Sequence, residues 1–290
     1  MSLAHLRPRT AGEILDGAFV LYRRHFVRFS LLVLLYFVPM VLLVWTVMAF
    51  DPESSVIGGL AALLLVAWAL AGTPFTWAAL TRLASQVVHG DAPSFRDAFA
   101  SGCDAALPLL GTGIMINLAS YAIMMGVLLV LVLVQFALAP VFGEGADPVF
   151  ALVSVAVTLG VTLVFCAALF AVVPAVVIEQ AGPVSALLRS WRLARGGWGR
   201  VVGVSLVSGV IVLLPLFGMV AAYGGLGSLA SAGATVPAEP PGLVNFGAWL
   251  ATVLIGPFYV LSSVLLYYDQ RLRAEGFDLE LAAARLPVTA

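Results

Sequence analysis

SLLVLLYFVPMVLLVWTVMAF, the run from Ser30 to Phe50, contains no charged side chain. A helix crossing the hydrocarbon core of a bilayer needs about 20 predominantly apolar residues, and this run supplies them. Five more runs of the same kind follow: Ile57–Leu80, Leu107–Leu133, Phe150–Val177, Val201–Tyr223 and Phe246–Tyr267. None contains a charged residue, and an Arg or Asp at mid-membrane costs about 2.5–3.5 kcal/mol on insertion scales. The expectation is an all-α integral membrane protein with six transmembrane helices, residues 1–290 forming one membrane domain. The third and fourth runs are long enough to tilt or to extend past the lipid.

The whole chain agrees with these runs. Of its 290 residues, 62% are hydrophobic and 10% charged, against about 45–50% apolar and about 25% charged in soluble domains. A soluble core cannot absorb that excess. The net charge of −1 points to neither an acidic nor a basic partner. The two cysteines, Cys103 and Cys166, lie in different segments and read as small packing residues rather than a disulfide or metal pair. The first apolar run starts only after a long charged stretch, and nothing near Phe50 resembles a signal-peptide cleavage site. The first span is therefore expected to stay as an anchor.

The loops give the orientation. Those holding Asp51 and Glu53, Glu144 and Asp147, and Glu239 (Gly224 to Gly242) contain no arginine. Every basic residue is an arginine, and all lie in the alternate segments. Arg7, Arg9, Arg23, Arg24 and Arg28 precede the first span, and Arg82 and Arg96 follow the second. Arg189, Arg192, Arg195 and Arg200 separate the fourth from the fifth, and Arg271, Arg273 and Arg285 follow the sixth. The positive-inside rule puts both termini in the cytoplasm, and a bacterial inner membrane is the expected location.

Those arginine-bearing segments are patterned. From Glu13 to Arg28, Leu15, Phe19, Tyr22 and Phe26 recur at helical spacing, with Arg23, Arg24 and Arg28 on the other face. From Pro183, Leu187, Trp191, Ala194 and Trp198 repeat the spacing, with Arg189, Arg192, Arg195 and Arg200 as the positive face. A fainter copy runs from Ser94, a candidate N-cap, through Phe95, Phe99, Gly102 and Ala106. The pattern predicts amphipathic helices over 13–28, 94–106 and 183–196, lying in the headgroup region and anchored by their apolar stripes. The chain thus reads as three repeats, each an interfacial helix followed by a helical hairpin.

Chemistry-bearing motifs do not stand out. His5, His25 and His89 have no matching cysteine or acidic cluster, so no metal and no cofactor is expected. There is no nucleophile elbow, HExxH or P-loop. Asn117 and Gln135 around the third span read as helix-packing groups. Pro74, Pro174 and Pro257 read as helix kinks, and Gly199 with Gly203 as a small-residue packing pair. Glu179, at the end of the fourth span, is expected to pair with Arg189 or Arg192. Arginines spread over four segments do not support nucleic-acid binding.

The runs GEILDGAFVLYRRHF (Gly12–Phe26), VIEQAGPVSALLRSWRLARGGWGR (Val177–Arg200) and YYDQRLRAEGFDLE (Tyr267–Glu280) resemble a bacterial multi-pass family. That family is related to the membrane domain fused to some glycerophosphoryl diester phosphodiesterases. The resemblance implies a six-helix inner-membrane protein and supplies no activity, because the phosphodiesterase resides in a separate soluble barrel for which this chain has no room. The leading expectation is a non-catalytic accessory or scaffold protein of the cell envelope, with membrane lipids and other membrane or cytoplasmic proteins as partners. A transport or lipid-handling protein is the alternative, and a membrane-embedded enzyme ranks behind both.

Overall fold

The computed structural model describes residues 9–50, 55–142, 147–231 and 242–275. Arg7, Arg285, His5, the loop acids Asp51, Glu53, Glu144 and Glu239, and residues 276–280 of the last quoted run lie outside the described residues. Within them the chain is helical: α1 (Ala11–Ala49), α2 (Val56–His89), α3 (Phe95–Phe142), α4 (Asp147–Ala168), α5 (Val172–Ile178), α6 (Pro183–Arg195), α7 (Trp198–Ser231) and α8 (Gly242–Glu275). Six segments are long and apolar enough to cross a membrane, α4 and α5 counting together as one. This is a multi-pass membrane protein.

The ends of these helices follow local chemistry. Thr10 caps α1 in a capping box, its hydroxyl accepting from the Glu13 N–H while the Glu13 carboxylate accepts from the Thr10 N–H. Ser55 caps α2, which stops at Gly90 in the left-handed region, φ 83°. Ser94 caps α3 as expected, accepting from the Asp97 N–H at 3.3 Å.

Two of the three expected interfacial helices are not separate elements. The segment 13–28 is continuous with the first span in α1, set off only by a kink at His25 (φ −116°, ψ 19°). The segment 94–106 and the span 107–133 form one helix of 48 residues, about 72 Å long at 1.5 Å per residue and far longer than the roughly 30 Å hydrocarbon core. The helix runs on through Pro108 at the junction of the two segments. Only α6 stands alone, opened by Pro183 at its first turn and closed at Gly196.

The residues of the expected anchoring stripes divide between the outer surface and the bundle. In α1 the buried positions are Ile14 and Ala18, while Phe19 and Phe26 are exposed, Leu15 is partly buried and Tyr22 donates to the Leu254 carbonyl. In α6 the buried positions are Ala186, Ser190, Leu193 and Ala194. Leu187 and Trp198 pack partly against the interior, and Trp191 is exposed. A helix at this depth has protein on one side and acyl chains on another, so both faces are apolar and composition does not tell them apart. Gly102 of the faintest copy lies under the Phe75 ring, 2.6 Å from an ideal Cβ position. It marks a close approach of α3 to α2, not a membrane-facing stripe.

Packing is concentrated toward the arginine-bearing end. α2 runs along both α1 and α3, α7 along α8, and α8 also against α1 and α2, whereas α3 and α4 scarcely touch. The buried core gathers Ile14, Phe29, Leu83, Leu193, Val201, Leu261 and Tyr267. The remote halves of α1, α3 and α4 expose Trp45, Leu129 and Leu152, the surface expected where lipid replaces protein as the apolar neighbour. Gly199 and Gly203 have open space at their Cβ positions, so no helix packs on them.

Candidate functional site

The expected fourth span, 150–177, is broken. α4 ends at Ala168 and α5 begins at Val172, with Leu169 to Ala171 in a tight turn (Leu169 N–H to Cys166 carbonyl, 3.2 Å). Pro174 explains the position. It has no N–H for the Phe170 carbonyl, and its ring crowds that carbonyl, which weakens the helix one turn earlier, where the break falls. The gap is closed by a side chain from elsewhere. The fully buried Ser190 of α6 accepts from the Ala171 N–H at 3.1 Å and donates to the Ala168 carbonyl at 2.6 Å. An irregular turn at membrane depth is tolerated only with its polar groups satisfied by protein or facing a cavity, and both conditions hold here.

The cavity is an open-sided cleft of about 440 Å³, within the range of roughly 300–1,000 Å³ typical of small-molecule sites. Phe170 and Val173 line it at the break, Pro74 and Trp77 from α2, and Tyr259 from α8, its ring edge-on to Trp77 with centroids 6.2 Å apart. Thr112, Gly113 and Asn117 line it from α3, and Ser263 from α8. The hydroxyls of Thr112 and Ser263 and the Asn117 amide donate to carbonyls of their own helices, those of Pro108, Val260 and Gly113. With these donors satisfied, the cleft suits an apolar occupant.

Two charged clusters close the arginine-bearing end. In the first, Arg189 of α6 grips Glu179, beyond α5, with its Nε (3.0 Å) and Nη2 (2.8 Å). It also pairs with Glu275 of α8, and the Tyr267 hydroxyl donates to Glu179. Arg271 joins from α8, 3.2 Å from Glu275. Burial pushes the Glu179 carboxyl up, but the hydrogen bonds from Arg189 and Tyr267 and the charges of Arg189 and Arg271 outweigh it and hold it below the ordinary carboxylate range. The hydrogen bond to Glu275, with the Glu179 pairing, more than offsets desolvation and raises Arg189.

The second cluster centres on Asp269, 2% exposed. It accepts from the Arg9 backbone N–H (2.7 Å), Arg200 Nη1 (3.3 Å) and Arg273 Nε (3.0 Å). This carboxylate ties the start of α1, the start of α7 and the end of α8 together. Sequence reading passed over it because its partners are remote in the chain. The available signal was an acid just past the sixth span, four residues before Arg273.

The expected positive face is therefore divided. Arg189 and Arg200 are half-buried ion-pair partners, whereas Arg23, Arg24, Arg28, Arg192 and Arg195 are exposed, Arg195 lying over the Trp191 ring at 5.1 Å. Of the expected partners for Glu179, Arg189 takes the position and Arg192 does not. His89 ends α2 and its Nδ1 contacts the Ser85 carbonyl at 2.7 Å. Cys103 and Cys166 are free. Among the described residues no group of three metal-ligating side chains converges.

No curated protein and no solved structure matches this chain. One family model does, a domain of unknown function (DUF7847), over residues 12–270. That stretch takes in the cleft and, from the charged clusters, Glu179, Arg189, Arg200, Tyr267 and Asp269. The chain therefore belongs to the DUF7847 family.

Proposed function

We propose that this is a non-catalytic lipid-handling protein that shelters a lipid acyl chain in the cleft at the broken fourth span. One observation supports the reading above others: the cleft is open-sided, apolar and flanked by lipid-exposed helices, with the polar side chains of Thr112, Asn117 and Ser263 turned onto their own backbones. A hydrocarbon chain there buries apolar surface at about 25 cal/mol per Å². Gly113 offers the test, because it lines the cleft and a Cβ there meets nothing within 4 Å. Gly113→Leu extends from that open position into the cleft. Native mass spectrometry of protein extracted in mild detergent is expected to show bound lipid on the parent chain and less on the variant. Equal lipid retention by both would sink the reading.

Several finer statements belong with this proposal. The membrane is the bacterial inner membrane with both termini cytoplasmic, on the strength of the arginine distribution. The three repeats remain our reading of the chain's organisation, supported by the capped starts of α1 and α3 and the free-standing α6. Kinship with the membrane domain of glycerophosphoryl diester phosphodiesterases rests on three runs, and residues from the second and third meet in the charged clusters through Arg189–Glu275 and Arg200–Asp269. An accessory role at the envelope is the second reading. Its support is the exposed stripe Val184, Leu188 and Trp191 on α6, a surface for membrane lipid or another protein.

A further inference from the structure

A second pocket, about 290 Å³, lies further along the helices that line the cleft. Thr81 faces the cleft and the next residue, Arg82, faces the pocket. On α8 the cleft takes Tyr259 and Ser263, and the pocket takes Tyr268 and Arg271. On the fourth span the cleft takes Val172 and Val173, and the pocket Ile178. The two spaces are thus stacked along α2, α5 and α8, the apolar one toward mid-membrane and the polar one toward the arginine-bearing end.

The chemistry of the second pocket is that of an anion site. Arg82 is partly buried, its Nε is sealed from solvent, and that Nε has no hydrogen-bond partner. Asp91 lines the same pocket, yet no nitrogen of Arg82 comes within 4.0 Å of its carboxylate. The Nε is closed off from the pocket, so an anion there would meet the rest of the guanidinium, to which no described residue supplies a carboxylate. Around it the Tyr268 hydroxyl is held by Ser85 at 2.9 Å and the His89 ring by the Ser85 carbonyl. Arg271 forms another wall while paired with Glu179 and Glu275. Basic pockets between spans at the cytoplasmic side are where phosphate-bearing headgroups dock, and a planar guanidinium matches phosphate oxygens.

We propose that the pocket at Arg82, with Tyr268, His89 and Arg271 around it, binds a phosphate group, and that the phosphate is the headgroup of the lipid whose chain occupies the cleft. This rests on the lipid-handling reading for its second half; the anion site itself stands on Arg82.

The test uses the full chain in nanodiscs holding phosphatidylglycerol and the phosphate-free glycolipid monoglucosyl diacylglycerol in equal amounts, released into native mass spectrometry, with inorganic phosphate titrated in a parallel arm. The parent chain is expected to retain phosphatidylglycerol in preference. Arg82→Gln is expected to lose that preference by about tenfold, the size of a lost charge-assisted hydrogen bond. Arg82→Lys keeps part of it, Asp91→Asn strengthens it, and the exposed control Arg192→Gln leaves it unchanged. Arg82-dependent binding of inorganic phosphate with no lipid preference supports the anion site and overturns the headgroup assignment. A preference untouched by Arg82→Gln overturns the whole proposal. Loss of lipid in Gly113→Leu but not in Arg82→Gln leaves the cleft reading standing and removes this one. Loss in Arg82→Gln alone does the reverse.

Discussion

Glu179 shows what a single carboxylate does at the mouth of a helical bundle. It receives Arg189 in a two-point grip and the Tyr267 hydroxyl, and so fastens the end of α5 to α6 and α8. Its carboxyl is held below the ordinary range. The stabilisation is therefore complete above the unfolded carboxylate's pKa, about 4.3, and drains away as pH falls through the lower folded value. Thermal melting in detergent is expected to be level from neutral pH down to about 5 and to drop in more acid buffer. Glu179→Gln should melt lower at neutral pH and show a shallower acid drop; parallel curves for the two proteins would remove Glu179 from the account. This pairing was readable in the sequence, because an acid at the end of a span precedes arginines on the next helix. Asp269 was readable only in part: Arg273 stands four residues on, but Arg9 and Arg200 are 260 and 69 residues away, and only the packing of α1, α7 and α8 brings them together.

At the scale of elements, the break between α4 and α5 depends on a residue in α6. Ser190 satisfies both backbone groups that the interruption leaves open. Ser190→Ala leaves the Ala171 N–H buried without an acceptor, which costs about 1–3 kcal/mol. The expected result is a lower melting temperature, with the loss in backbone amide protection concentrated at residues 168–172 in hydrogen exchange. A variant that melts with the parent would show that the break holds without the hydroxyl. The proline signalled a kink in the sequence, but nothing in a uniform apolar run announced which distant hydroxyl would cap it. The interfacial stripes are a related case. Helical period located the amphipathic segments, yet Phe19 and Trp191 turned out to face away from the bundle while Ile14, Ala18 and Ser190 face into it. A surface of protein and a surface of acyl chains select the same residue types. Phe19→Glu and Trp191→Glu put charge on the outward faces, so each is expected to weaken seating of its helix in the bilayer without disturbing the core. Protease accessibility of 13–28 and of 183–196 in vesicles measures this, and unchanged cleavage in both variants counts against anchoring.

For the whole molecule, the number of spans was legible because a bilayer demands a fixed length of apolar helix whatever the packing. Where α3 begins was also legible, through Ser94. What the sequence left open is how the spans gather, since lipid-facing and protein-facing positions share one composition. The structure puts the tight packing and the charged clusters at the arginine-bearing end and leaves the remote halves of α1, α3 and α4 to lipid. This asymmetry bears on orientation. Arginines are costly to move across the bilayer, and the clusters around Glu179 and Asp269 require both helix starts and helix ends on the side where those arginines stay. Single cysteines in a Cys103→Ser, Cys166→Ser background separate the alternatives. Val56→Cys, 80% exposed at the start of α2, is expected to react with a membrane-impermeant maleimide in intact cells whose outer barrier has been opened. Arg96→Cys, at the start of α3, should react only after lysis. The opposite labelling pattern would place the arginines outside, and with them the phosphate pocket at Arg82. A lipid bound there would then have its headgroup in the outer leaflet.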